Sequence, residues 1–270
     1  MIKRILTALV LIPIFVLLLF LLSPKAFCLF TGAIVLWAAW EWSSLMGIQS
    51  AKRRFIYPVL TFFLLIGSMW FYIPGVIIAS VIWWLVALLL VVSYPKLNQT
   101  WSKSIFIRGL MGFMVLIPCW LAINSIRNFS DDGIYILLFL FVLVWGADSG
   151  AYFAGKCWGK TLLLPNVSPG KSWQGVWGAL ITTLVITLIA LFRIQASYKI
   201  GLFACAVTLM TVLFSIVGDL FESMLKRNAG IKDSGRLLPG HGGILDRIDS
   251  LTAAAPLFLF GTDLMQKIFS

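Results

Sequence analysis

The stretch FIYPVLTFFLLIGSMWFYIPGVIIASVIWWLVALLLVVS, residues 55–93, runs for 39 positions without a charged side chain. A bilayer's hydrocarbon core is ~30 Å thick and takes about 20 helical residues to cross, so this run is too long for one span and long enough for two. Pro74-Gly75 sits near its middle and marks a tight reversal. Residues 55–73 and 76–93 therefore read as consecutive antiparallel spans. Helices are the expected form, because in lipid the backbone must satisfy its own polar groups.

Working outward, seven further segments meet the same test: residues 5–22, 26–46, 105–125, 134–154, 173–192, 200–222 and 251–269. The expectation is an all-α polytopic membrane bundle with about nine transmembrane helices, forming one integral membrane domain over residues 1–270. Composition agrees. The 270 residues are 61% hydrophobic and 11% charged, with a mean hydropathy of +1.00, whereas soluble chains carry about 25% charged residues. A water-soluble globular protein is excluded, as are a disordered chain and a collagen. Lys3 and Arg4 before an apolar run suggest a signal peptide, but the SPKAFC sequence at 23–28 has no small-x-small cleavage site, so the segment reads as span one.

The net charge of +11 does not point to nucleic acid, since the 21 Lys and Arg lie in short clusters between apolar runs. They orient the chain instead. With the N-terminus cytoplasmic, fifteen fall on that side and five opposite, with Arg108 near a boundary, so the positive-inside rule favours N-in and C-out. Cys28, Cys119, Cys157 and Cys205 are widely spaced and suggest neither a disulfide framework nor a zinc site. The tryptophans, Trp83, Trp84, Trp145 and Trp158 among them, suit interfaces and packing.

Residues 1–140 are mainly spans and nearly free of chemistry, so function is expected at 145–250, in two polar loops on the cytoplasmic side. Six of the ten acids, Asp148, Asp219, Glu222, Asp233, Asp246 and Asp249, lie in or beside those loops. Asp148 and Asp219 end apolar runs, where a carboxylate costs roughly 2.5–3.5 kcal/mol on insertion scales. Asp219, Glu222, Ser223, Lys226 and Arg227 follow steps of three and four along one helix stripe, which also admits plain intrahelical ion pairing. Between 219 and 249 five acids alternate with five bases. A carboxylate repels phosphate and serves it only by holding a divalent cation, while Lys and Arg contact phosphate oxygens directly. Acids, bases and no Cys/His cluster together suggest Mg²⁺ and a phosphate substrate.

Gly240, Gly242 and Gly243 flank the only histidine, His241, and permit close backbone approach to a ligand, with phosphate contact preferred over proton transfer at that side chain. Ala154–Thr161 fits a permissive P-loop pattern, but a P-loop follows a strand and opens a helix, and this segment follows a span. Ser168-Pro-Gly-Lys171-Ser172 precedes span seven, where hydroxyls, Lys171 and free helix-start amides can hold an anion; simple helix capping is the alternative.

The pattern Ser223-x-Leu-Lys226-Arg227-x4-Lys232-Asp233-x-Gly-x3-Pro-x-His241-Gly242-Gly243-x2-Asp246-Arg247-x-Asp249 resembles the signature of phosphatidate cytidylyltransferases, with Asp148-Ser149 and the Ser168–Ser172 motif extending the likeness over roughly 145–250. The first 140 residues match only as apolar spans. The resemblance implies an enzyme that condenses CTP with phosphatidic acid to give CDP-diacylglycerol and pyrophosphate in phospholipid biosynthesis, using Mg²⁺ and in some members a monovalent cation such as K⁺. On that reading Asp219 and Asp246 are the primary metal ligands, with Glu222 or Asp148 completing the set. Lys171, Lys226, Arg227, Lys232 and Arg247 hold phosphates, Ser168, Ser172 and Ser223 donate hydrogen bonds, and Asp249 orients Arg247 or the metal shell. Partners are the two substrates and the bilayer, with a homodimer admitted. The expected location is a bacterial inner membrane. A transporter of an anionic solute predicts inverted repeats, which the sequence lacks. Another Mg²⁺ enzyme of lipid phosphates, a prenyl-phosphate sugar transferase or a polyprenol kinase, is the nearer rival.

Overall fold

A computed structural model describes residues 2–70, 73–235, 237 and 242–269, with side chains from Ile12 onward. Each of the nine expected apolar segments carries a helix: α1 (Ile2–Leu21), α2 (Pro24–Leu45), α4 (Ile56–Ser68), α5 (Ile73–Val92), α7 (Ile105–Arg127), α8 (Gly133–Trp158), α9 (Trp173–Arg193), α10 (Tyr198–Ala229) and α11 (Leu245–Phe269). Two four-residue helices, α3 (Ala51–Arg54) and α6 (Asn98–Trp101), lie in connections. The chain is an integral membrane protein. Among the described residues, α2, α5, α7, α8, α9 and α10 are long and apolar enough to cross. The 13 residues of α4 reach about 20 Å, short of a hydrocarbon core, and the polar first turns of α11 dilute its apolar character.

Local signals set the helix ends. Ser23 accepts from the Ala26 amide at 3.3 Å with Pro24 at the first helical position of α2. Gly230 closes α10 in the left-handed conformation at φ 68°. The expected span 200–222 grows to the 32 residues of α10, about 48 Å of helix, so its last turns project beyond a ~30 Å core. A short antiparallel hairpin, β1 (Leu162–Leu164) with β2 (Ser168–Ser172), joins α8 to α9, where a polar loop was expected.

Two packing devices position the site. Between α8 and α9, Gly146, Gly150 and Ala154 face Gly175, Gly178 and Thr182. A Cβ on Gly150 would strike the Gly178 carbonyl and Thr182, and one on Gly178 would strike Ala154 and the Gly150 carbonyl. Small residues at four-residue steps thus bring the two backbones together. Phe221 of α10, 1% exposed, is held by Trp42 of α2 and Trp83 and Trp84 of α5 at ring separations of 6.5, 5.8 and 5.8 Å. That cluster fixes how α10 is rotated and therefore where its acids point.

The ends of the bundle differ. Arg108 Nη1 donates to the Leu45 carbonyl at 3.2 Å, so Arg108 belongs to the end where α2, α8 and α10 finish. At the opposite end, buried Arg127 donates to the Leu19 and Leu22 carbonyls, capping α1, and stacks over Phe27. All four cysteines are free thiols.

Candidate active site

At the Arg108 end, the C-terminal turns of α8 and α10 meet the start of α9, the hairpin and the first turns of α11. They enclose a cavity of about 460 Å³. Asp148 reaches it from α8, Lys171 and Ser172 from β2, Asp219 and Lys226 from α10, Asp246, Arg247 and Asp249 from α11, and Asp233 from the connection before α11. Gly218 permits the approach of α10 to α11, lying against the Asp249 carbonyl where a side chain would collide. Residues separated by a hundred positions thus share one cleft, and seven of the expected site residues line it: Asp148, Lys171, Ser172, Asp219, Lys226, Asp246 and Arg247.

Both lysines of the cleft are already paired with carboxylates. Lys171 Nζ lies 2.6 Å from Asp219 Oδ2, both groups partly exposed at the mouth. Lys226 Nζ sits deeper, 2.8 Å from Glu222 Oε2 and 2.6 Å from Asp246 Oδ1. The intrahelical pairing that the spacing admitted is therefore present as Glu222–Lys226, and it is extended across to α11. Asp246 Oδ2 accepts from the Ser234 amide (2.9 Å), the Ser234 hydroxyl (3.0 Å) and the Gly243 amide (2.8 Å). Burial alone would raise the Asp246 carboxyl, but the Lys226 hydrogen bond, the Gly243 amide, the Lys226 charge and the Ser234 amide together hold it below its usual range.

The remaining expected residues sit around this cleft. Ser223 Oγ donates to Asp219 Oδ1 at 3.3 Å, so it orients that carboxylate. Arg227 Nε donates to the Val167 carbonyl at 3.3 Å and ties the hairpin to α10. Ser172 Oγ accepts from the Gly175 amide at 3.2 Å, the capping role that the sequence left open. Ser168 begins β2 away from the cavity lining. Lys232 faces a neighbouring cavity of about 550 Å³ with Trp37, Trp40 and Arg54, and Asp233 lines both. Gly242, at φ 81°, and Gly243 bring backbone against Asp246. His241 lies outside the described residues. Ala154–Thr161 runs from the last turns of α8 into the hairpin, with no strand before it.

One residue was missed. Glu41 of α2, 2% exposed, accepts from the Ser234 hydroxyl and from the Ile244 and Leu245 amides, at the edges of the segment that carries Asp246. The first half of the chain thus contributes to the site. Its sequence signal was a lone carboxylate within an apolar aromatic run, Trp-Ala-Ala-Trp-Glu-Trp at 37–42.

The cavity donors suited to a cation are carboxylate oxygens. Among the described residues no three His, Cys, Asp or Glu side chains converge as a preformed ion cage. Asp219 and Asp148 on the cavity wall fit an ion that takes one or two carboxylates and completes its shell with substrate oxygens and water, the habit of Mg²⁺. Asp246 Oδ2 is crowded by the Ser234 and Gly243 donors, whereas Oδ1 accepts from Lys226 alone and keeps a second acceptor site.

The sequence profile described as the cytidylyltransferase family matches residues 2–264. The chain belongs to that family. It is 42% identical over 282 residues to a phosphatidate cytidylyltransferase of Haemophilus influenzae, covering 96% of this chain and 97% of the relative. It is 45% identical over 261 residues to that of Pseudomonas aeruginosa, covering 95% and 94%, and 38% identical over 182 residues to that of Bacillus subtilis, covering 65% of each. The match takes in the N-terminal cytidylyltransferase spans that the motifs of 145–250 left as featureless apolar helix.

Proposed function

We propose that the chain is a phosphatidate cytidylyltransferase, condensing CTP with phosphatidic acid to give CDP-diacylglycerol and pyrophosphate at the cytoplasmic face of a bacterial inner membrane. The observation that carries this is the paired acid–base cleft at one end of a membrane bundle, in a chain whose family match runs nearly end to end. A phosphate oxygen of phosphatidate attacks the α-phosphorus of CTP, the new P–O bond forms, and the bond to the β-phosphate oxygen breaks as pyrophosphate leaves. The lipid phosphate is already ionised, so no protein nucleophile is required. Two anions must be brought together, and catalysis is chiefly charge neutralisation and alignment.

Lys171 and Arg247 are placed to meet phosphate oxygens at the cavity, Lys171 by exchanging Asp219 for a substrate oxygen at the exposed mouth. Lys226, held by Glu222 and Asp246, offsets their negative charge beside the cavity and so lowers the repulsion that an incoming phosphate meets. Asp219 and Asp148 would hold Mg²⁺, which supplies charge stabilisation of the transferring phosphoryl group; a monovalent cation such as K⁺ is the secondary candidate. The N-terminus is inside, supported by the basic residues Lys52, Arg54, Lys171 and Lys226 at the cavity's end of the bundle.

The test is incorporation of label from radioactive CTP into lipid by purified protein in mixed micelles containing phosphatidate, beside parallel incubations with nucleotide-sugar and γ-labelled ATP. CTP-dependent, Mg²⁺-dependent labelling that Asp219→Asn abolishes is expected. Labelling from the sugar nucleotide or ATP instead would replace the reading, and full activity in EDTA would remove the metal from it.

A further inference from the structure

Glu41 is the sole acid in the first 130 residues, and its carboxylate is filled by donors. Oε1 accepts from Trp37 Nε1 (3.2 Å) and the Ile244 amide (3.1 Å), and Oε2 from the Ser234 hydroxyl (3.1 Å) and the Leu245 amide (2.8 Å). Three of these donors are Glu41's own and the Ser234 proton is shared with Asp246, which brings the carboxylate close to its acceptor capacity of about two per oxygen. Gly235 and Gly243 pass so close that a Cβ on either would strike the carboxylate. The Leu245 amide opens α11, so the negative charge also sits at that helix's positive end.

The groups that Glu41 holds are the neighbours of those that hold Asp246. Ser234 Oγ lies 3.1 Å from Glu41 Oε2 and 3.0 Å from Asp246 Oδ2, so its single proton is shared between the two carboxylates, while its amide goes to Asp246. Gly243, whose amide completes the grip on Asp246, directly precedes the two amides bound by Glu41. Asp246 in turn fixes Lys226 at 2.6 Å. Glu41 itself is absent from the lining of the catalytic cavity.

We infer that Glu41 is a positioning residue for the transfer reaction: from α2 it pins Ser234 and the start of α11, and thereby sets the orientation of Asp246 and Lys226 in the cleft. The inference rests on the reading that Asp246 belongs to the transfer centre. It differs from a plain structural anchor in what it changes, since an anchor alters how much protein is folded, whereas a positioning residue alters the turnover of each folded molecule.

Glu41→Gln is the informative substitution, because it keeps the shape but turns an NH₂ group toward two donors and so loses acceptors on one side. Purified full-length Glu41→Gln, Glu41→Asp, Ser234→Ala and Asp246→Asn are compared for melting temperature, kcat, and KM for CTP and phosphatidate. Glu41→Gln is expected to lower kcat at least ~10-fold with both KM values within about twofold of wild type. Glu41→Asp, still four-fold accepting, should recover part of that loss. Combined with Ser234→Ala, Glu41→Gln should cost less than the product of the single effects. Wild-type kcat in Glu41→Gln overturns the inference, as does a KM increase at unchanged kcat, which would make Glu41 a substrate contact from the Lys232 cavity. Should Glu41→Gln fail to fold, normal kcat in folded Glu41→Asp and Ser234→Ala overturns it equally. Full activity in Asp246→Asn would instead sink the underlying reading of the centre.

Discussion

Lys226 bridges two helices, its Nζ lying 2.8 Å from Glu222 on its own helix and 2.6 Å from Asp246 on the next, all three side chains at most 13% exposed. Removing one partner of a buried ion pair leaves an uncompensated charge and costs about 3–5 kcal/mol. Here two carboxylates would be stranded, and Asp246 would lose the strongest influence holding its carboxyl low. Lys226→Met should therefore lower the melting temperature of the detergent-purified protein and abolish measurable turnover together. An unchanged melting temperature would show that the bridge contributes nothing to the fold.

Lys171 and Asp219 make an ion pair of the same length but in a different setting, 25% and 30% exposed at the mouth. Pairs with such access to water contribute about 0–1 kcal/mol. Lys171→Ala should consequently leave thermal stability within about 1 kcal/mol of wild type while raising KM for CTP or phosphatidate, read from initial rates. A large loss of stability with normal KM would make Lys171 a structural residue and return the Ser168–Ser172 segment to helix capping alone.

These two pairs also show what the sequence carried and what it could not. Apolar run length located nine helices of the described residues, α4 among them as a shorter one than expected, because hydropathy is a local property, and steps of three and four located the Glu222–Lys226 pair for the same reason. Lys171–Asp219 and Lys226–Asp246 join separate elements 48 and 20 residues apart, and spacing says nothing about such partners. The lysines were expected on phosphate, and the structure shows the carboxylates that hold them. Glu41 was invisible on the same account: its partners Ser234 and Leu245 lie 193 and 204 residues away. The hairpin escaped because SPGKS at 168–172 has the Pro and Gly of a loop, and its strand form is imposed by pairing with Leu162–Leu164.

The wall of the cleft that carries Asp148 depends on the contact between α8 and α9. Gly178 has no room for even a Cβ, which would meet Ala154 and the Gly150 carbonyl. Overpacking of a tight contact costs typically 1–3 kcal/mol, and here relief requires the helices to part, moving Asp148 away from Lys171. Gly178→Val should therefore reduce activity at least ~10-fold and lower the melting temperature, whereas Gly67→Ala on α4, with nothing within 4 Å of its added carbon, should match wild type in activity. Equal behaviour of the two variants would show that close approach of α8 and α9 is not needed.

Cys157 provides a direct reading of orientation. It is exposed near the C-terminal end of α8, at the same end as the cavity, while Cys119 is buried and Cys28 and Cys205 are half-buried. Exposed thiols react through the thiolate, which an aqueous setting favours and burial suppresses. In a variant retaining Cys157 alone, with the other three changed to Ser or Ala, a membrane-impermeant maleimide should label inverted inner-membrane vesicles and leave intact spheroplasts unlabelled until they are lysed. Labelling of intact spheroplasts would place the cleft on the outer side, where CTP is absent, and would overturn the N-in orientation on which the proposed reaction depends.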